Sequence, residues 1–522
     1  MNRRQLFSGL ASLGVRDHAP ADMVMPMVGG GIEPYDQPLT LDDVYHLFRR
    51  IGVGPSYASA KTYVGKLAAD VVSELLGAED EPAPAPPGTW INATTENPLG
   101  ADLQTRFAIY AGWNNQMAAL SNWWIKQMAS EPKGVEKLTM FWSGHFTTEF
   151  SFDETYVPPQ SMWRQYLMLR KDRLGDFREL TLDVTVDNAM VWYLGGHFNE
   201  VGKPNENYAR ELLELFTVGI GWYTEGDVKE AARVLTGWKS ARYNDEPTGP
   251  NGIFNAYFAA QRHDVGAKQF LGQSIPGRTA DNNTEYQVKN EEIRRLIEII
   301  FEQRPVEASR FIARKLYRYF VYCSPTEVDE TMVEALGKIF RDNNWKIKPM
   351  VHALFSSAHF FDPGLRGAQI KTPAEFCAGV MRQLGVEFND PQSWTKKMDQ
   401  ALMDPPNVAG WPGYHYWIST NSYPVRRQFA RTIIDSMTDD QVMTFIKQFT
   451  DYDVADKFVR EVCRLLLPVT VNSARHDYYV KTLLQNAPSY DWPKILDEKP
   501  AAAQRTRGLL VAISKAPDFQ LS

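Results

Sequence analysis

The sequence predicts an all-α protein, a large multi-helix domain with one small β-hairpin insertion. Three observations lead there. Apolar residues recur at helical spacing through most of the 522 residues. Only residues 253–258 alternate in the manner of a strand. Helix-start signals, such as Thr40 before the 41–50 run and Thr224-x-x-Asp227, punctuate the chain. The elements follow in order. Thr40 caps a helix over 41–50, and a second covers 57–76. Residues 79–100, with five prolines, form a loop. A long amphipathic helix rich in Trp and Met spans 103–128, followed by helices over 135–146, 163–173 and 177–186. Pro204 opens the next, because its missing N–H would be unpaired there anyway, and Gly219 and Gly221 end it. Thr224-x-x-Asp227 caps the helix through Leu235. Residues 240–286 are rich in Gly, Asn, Asp and Pro; 253–258 pairs with 268–271 in the hairpin. Helices over 291–301, 305–322, 327–340, 347–355, 373–384, 394–402, 426–436, 441–449, 454–467, 474–484 and 501–514 complete the chain. No fixed-period repeat is visible, which argues against a regular solenoid. The expected organisation is an N-terminal segment 1–40, a main helical domain 41–429 and a C-terminal helical subdomain 430–522 packed on it.

Composition excludes some partners. Apolar residues make up 44% of the chain, and no run reaches the roughly 18 needed to cross a bilayer. An integral membrane protein is therefore not expected. The net charge of −7 comes without a basic block, so nucleic acid is not an expected partner. Cys323, Cys377 and Cys463 show no C-x-x-C spacing and read as buried free thiols. Asn2-Arg3-Arg4-Gln5-Leu6-Phe7 has the form of a twin-arginine export motif, which predicts a periplasmic or extracellular protein. The alternative is a cytoplasmic protein with a chance arginine pair.

The densest chemistry lies in residues 204–215. Tyr208, Ala209, Leu212, Leu213, Leu215 and Phe216 sweep one side of a helix, and Asn207, Arg210, Glu211 and Glu214 stack on the other. Such a stripe is either a solvated face laced with Arg–Glu pairs or a row of groups aimed into a cleft. In the second reading Glu206, Arg210, Glu211 and Glu214 are catalytic, with Glu211 and Glu214 as a base/acid pair on a glycoside or ester. None of the nine histidines sits in a compact metal motif. A divalent transition-metal site would have to be assembled from His145, His263 and Asp264, with Glu211 and Glu214 completing it and Glu206 or Asn207 orienting them. The alternative is that His145 packs a helix end and His263-Asp264 fixes a turn. No G-x-S-x-G elbow, G-x-G-x-x-G turn or P-loop is present, so no nucleotide cofactor is expected. A second constellation runs from Asp404 to Trp417. Its prolines and glycines impose a rigid loop displaying Trp411, Tyr414, His415, Tyr416 and Trp417 beside Asn407. Asn207, Asn407, Trp411, His415 and Trp417 are candidate ligand-binding residues, the aromatic ones suited to stacking on a sugar; the other reading of the loop is an aromatic plug in the core. The expectation is that this loop and the 206–214 helix line one cleft.

Several segments carry a family resemblance. PNENYARELLELFTVG (204–219) and YTEGDVKEAARVLTGW (223–238) resemble the signature of a bacterial family catalogued as domain of unknown function 1800. FWSGHF (141–146), RHDVGAKQFLG (262–272), ARKLYRYF (313–320), KTPAEF (371–376) and PPNVAGWPG (405–413) agree in order, so the resemblance spans about 41–427. It implies an exported protein working beside an exported partner that resembles sulfatases and alkaline phosphatases. Together these features lead to an expected extracytoplasmic, metal-assisted enzyme acting on a polymeric or cell-envelope substrate. The alternative is a non-catalytic scaffold or glycan-binding component that works with the sulfatase-like partner.

Overall fold

Thr40 opens the first helix, Leu41–Ile51, through a capping box: its hydroxyl accepts from the Asp43 amide at 3.2 Å while Asp43 accepts from the Thr40 amide at 2.9 Å. A computed structural model describes residues 30–522 except 95, 131, 132, 153, 154, 250, 325 and 326, without the side chains of 152 and 155. The twin-arginine motif at 2–7 lies outside the described residues. The fold is all-α, as the periodicity predicts, with small two-stranded sheets between the helices.

Departures from the sequence reading have local causes. The helix expected over 57–76 is two, Tyr57–Lys61 and Ala68–Leu76. Between them Gly65 takes φ +85° and its amide, like the Lys66 carbonyl, bonds to Leu39 at 2.9 Å. The turn thus ties to the chain ahead of the first helix. Pro204 does not start its helix, which begins at Asn207. The side chains of Asn199 and Asn205 accept from the Asn205 and Asn207 amides at 2.9 and 3.0 Å and hold this approach in turns. Asn188–Tyr193 and Trp492–Asp497 are further helices, too short to show a period. The hairpin pairing is also different. Ala256–Phe258 pairs antiparallel with Trp238–Ser240, and Lys268–Phe270 pairs with Gln273–Ile275. Leu271 and Gly272, both at positive φ (47° and 77°), make a two-residue turn, so Lys268–Phe270 meets its near neighbour instead of the 253–258 segment.

Thr224 forms the expected capping box with Asp227 at the start of Glu225–Val234. Thr224→Ala is expected to cost about 1 kcal/mol, read as a lowered denaturation midpoint; no change would mean the cap contributes nothing.

One contiguous apolar core runs from Leu39 to Phe519. The expected boundary at 429/430 falls inside the helix Ser422–Ser436, where Phe429 and Ile433 are both buried. Phe376 packs against both Phe429 (6.2 Å) and Phe519 (5.8 Å), joining the C-terminal helices to the rest of the core. Among the described residues no helix is long and apolar enough to cross a membrane. Cys377 and Cys463 are buried free thiols; Cys323 is free but only partly buried.

Candidate functional site

Two helices set basic residues on one wall. On Val135–His145, Lys137, Phe141 and His145 fall four residues apart and share a face. On Pro305–Phe320, Lys315, Arg318 and Tyr319 do the same at i, i+3 and i+4. These faces, with Arg50 from the first helix and the Thr372–Glu375 start of Pro373–Leu384, enclose a cavity of about 320 Å³. Trp411, Tyr414 and Trp417 supply its aromatic side.

The charge in this cavity is lopsided. Arg50, Lys137, Lys315 and Arg318 face it, against one carboxylate side chain, Glu375. Glu375 is committed already: one oxygen accepts from Lys137 at 3.0 Å and the other from the Thr372 amide at 2.9 Å. Arg50 donates to the carbonyls of Phe320 (3.1 Å), Val321 (2.6 Å) and Leu365 (2.5 Å), so backbone dipoles rather than acids hold it. Lys315 donates to the Leu215 carbonyl at 2.7 Å and to His145 Nδ1 at 3.0 Å. Arg318 Nε and the Tyr319 hydroxyl are buried without a hydrogen-bond partner among the described residues.

Burial governs the titration of this wall. It pushes His145 well below its ordinary range, with the Lys315 charge adding to the effect, so the ring is neutral. Lys315 is lowered to about 7 by burial and then by Arg318. Arg50 falls to about 9, again through burial first. Lys137 is lowered by burial, against the opposing pull of Glu375.

The 206–214 helix reaches this site by its backbone and not by its polar stripe. Asn207–Glu211 is α-helical and continues as a π-helical turn, Leu212–Thr217, a form concentrated at functional sites. Its last carbonyls have no partner inside the helix. The Leu215 carbonyl takes Lys315, and the Phe216 carbonyl takes His145 Nε2 at 3.0 Å. The negative end of the helix therefore sits against the cationic wall. The polar face does not. Arg210 binds both oxygens of Glu225 at 2.7 Å and Glu206 at 3.4 Å, and Glu214 accepts from the Tyr223 hydroxyl at 2.9 Å. Glu211 is raised to about 7 by burial and then by Glu214, but it does not line the cavity. Of the catalytic grouping Glu206, Arg210, Glu211 and Glu214, none lines this cavity: Arg210 pairs with Glu206 and Glu225, and Glu214 with Tyr223.

The candidate metal ligands are not gathered either. Among the described residues no three His, Cys, Asp or Glu side chains group to hold a metal ion. Both ring nitrogens of His145 are engaged. His263 is buried elsewhere, its Nδ1 2.9 Å from the Thr236 carbonyl and its Nε2 3.2 Å from Glu292. Asp264 binds Arg233 at 2.8 and 3.2 Å and accepts from the Gly266 amide at 2.9 Å. His263-Asp264 thus fixes a turn through side-chain pairs.

The loop divides. Trp411 and Trp417 line the cavity, the latter nearly buried; Asn407 and His415 are exposed and do not. Asn407 shapes the turn, its side chain accepting from the Ala409 amide at 2.9 Å and its carbonyl from Gly410 at 3.0 Å. His415 stacks on Tyr414 with ring centroids 3.7 Å apart. The common cleft is corrected in the same way: the loop shares a site with His145 and Lys315, and none of Asn207, Arg210, Glu211 or Glu214 lines it.

Sequence reasoning missed Arg50, Lys137, Lys315, Arg318 and Glu375. A signal was present. Lys315 and Arg318 stand one turn apart in ARKLYRYF, and Glu375 stands in KTPAEF, each beside buried apolar residues where charge has to be explained.

No curated protein and no solved structure matches the chain. One sequence family does, over residues 46–521, a span that takes in every wall of the cavity but the terminal Ser522. The chain belongs to the family described as "Protein of unknown function (DUF1800)".

Proposed function

We propose that the cavity receives the anionic group of an organic ligand, a carboxylated, sulfated or phosphorylated sugar being the class that suits it best. The observation that carries this reading is the set of four cationic side chains facing about 320 Å³ with one carboxylate side chain, itself already paired. That volume lies at the lower end of small-molecule sites and suits one ring. Trp411 and Tyr414 offer flat surfaces for the ring, and Arg318 lines the same cavity. Cations converge here, and among the described residues no set of metal ligands does, which favours a glycan-recognising role over metal-assisted turnover. The Arg3-Arg4 motif supports an extracytoplasmic setting, and the family resemblance adds an exported sulfatase-like partner with a cell-envelope glycan as the material between them. Cell fractionation tests the location.

Titrating the protein with methyl glucuronoside and with methyl glucoside, read by tryptophan fluorescence, tests the binding. The two differ by a carboxylate. The charged sugar is expected to bind and the neutral one to bind at least about tenfold more weakly, a difference of about 1.4 kcal/mol. Arg318→Gln should erase that preference. Affinity should fall as pH rises through about 7, where Lys315 loses its proton. Lys137, Glu375, Tyr319, Tyr414, Cys323 and neutral His145 also line the cavity. Equal binding of both sugars, or affinity rising with pH, would overturn the reading.

A further inference from the structure

We propose that Lys315 is a carbonyl-reactive amine, condensing with an aldehyde or ketone carried by the anionic ligand of this cavity to give a covalent imine. This rests on the anion-binding reading above and names the substrate class as carbonyl-bearing organic anions. The geometry around Nζ carries it. Nζ donates to two fixed acceptors, the Leu215 carbonyl at 2.7 Å and His145 Nδ1 at 3.0 Å. Both are positioned by the same helix end, since the Phe216 carbonyl holds the opposite edge of the His145 ring at 3.0 Å. A lysine nitrogen bearing Cε and these two N–H bonds has one tetrahedral position left, and Lys315 lines the cavity. In the ammonium that position is a third proton, a donor for an anion. In the amine it is the lone pair. Neither acceptor is lost when the proton leaves, so deprotonation breaks no hydrogen bond.

The charges around Lys315 favour the amine. Among the described residues no carboxylate forms an ion pair with it, whereas Lys137, on the neighbouring helix, has Glu375 at 3.0 Å. Arg318 lies one turn further on the same helix and lines the same cavity. Burial and that second cation hold Lys315 near 7, the environment that activates a lysine toward carbonyl carbon. Arg318 is also placed to hold the ligand's anionic group.

The step balances without an oxidant or reductant. The Nζ lone pair forms a bond to the carbonyl carbon as the C=O π pair moves to oxygen. A proton passes from nitrogen to that oxygen, giving a carbinolamine. The nitrogen lone pair then closes the C=N bond while the C–O bond breaks, and the oxygen leaves as water with a second proton taken from nitrogen. The net change is an amine and a carbonyl giving an imine and one water.

The test is reductive trapping on the full chain with glyoxylate and cyanoborohydride near pH 7, followed by peptide mapping. A solvent-exposed lysine with an ordinary value near 10.4 holds less than about one amine in a thousand at that pH. Lys315 is therefore expected to gain its carboxymethyl group at least about tenfold faster than any surface lysine. Methyl glucuronoside should suppress the labelling, and acetaldehyde, which lacks the anion, should label Lys315 more slowly. Lys315→Arg should abolish this adduct. Mapping the native chain makes the result independent of how the variant folds. If Lys315 stays unlabelled while methyl glucuronoside still binds, the covalent proposal is wrong and the binding reading stands. Labelling no faster than at surface lysines, or equal with acetaldehyde, also overturns the proposal. If methyl glucuronoside neither binds nor protects, both readings fall.

Discussion

Glu292→Gln is expected to destabilise the protein by about 3–5 kcal/mol, the usual cost of leaving buried charge without its partner. Glu292 lies with 1% of its side chain exposed, and accepts from Lys268 and from Arg278 Nε, both at 2.5 Å, and from His263 at 3.2 Å. Lys268 is itself fully buried, so its charge has no solvent to fall back on. Burial alone would raise the Glu292 carboxyl, but the His263 and Lys268 contacts outweigh it and hold the group below its ordinary 4.5. The sign follows. Its contribution is complete above about pH 4.5 and is lost as pH falls through the lower native value. Glu291→Gln is the control: Glu291 meets Arg278 at 3.1 Å, but more than half of its side chain is exposed, and its loss should cost at most about 1 kcal/mol. Urea denaturation of the two variants checks this. Equal midpoints would show that the buried network is not what holds the 262–278 turn to its helix.

Gly410→Ala is expected to cost both stability and ligand. Gly410 has φ +82°, and a Cβ there would stand 2.8 Å from the Gly144 carbonyl and 3.3 Å from Thr147 Oγ1. The backbone strain is about 1–2 kcal/mol, and forcing an atom into packed surroundings typically adds about 1–3 kcal/mol. Gly144 immediately precedes His145, so the loop carrying Trp411 has to move away from the cavity wall it closes. Affinity for methyl glucuronoside should fall by at least about tenfold, about 1.4 kcal/mol. Gly385→Ala separates the two causes. Gly385 has φ +66° with nothing within 4 Å of an added Cβ, so it should show the strain alone and bind normally. An unchanged affinity in Gly410→Ala would mean that the loop does not set the cavity's shape.

The helical class, the cap at Thr40 and the capping box at Thr224 were legible because each depends on residues close together in the chain. A periodic apolar stripe produces a helix almost wherever it lies, and a capping box closes over four residues. The strand pairing was less legible, since residues 253–258 have two possible neighbours and the choice fell to the Leu271-Gly272 turn. The PNENYARELLELF segment marked the right neighbourhood for a reason its side chains hide. Its Arg and Glu residues are largely spent on local pairs, while the carbonyls of Leu215 and Phe216, which carry no sequence signal, anchor Lys315 and His145.

The sequence by itself determined an all-α chain, its family and a Pro/Gly-stiffened aromatic loop, because local periodicity, caps and motif order suffice for these. Only the tertiary structure decided which charges face one another. Arg50, Lys137, Lys315, Arg318 and Glu375 span more than three hundred positions, and their meeting depends on how several helices pack on a single core. Desolvation is likewise a property of packing: Lys315 and His145 are ordinary residues in the chain and become a tuned amine and a neutral ring once water is excluded around them.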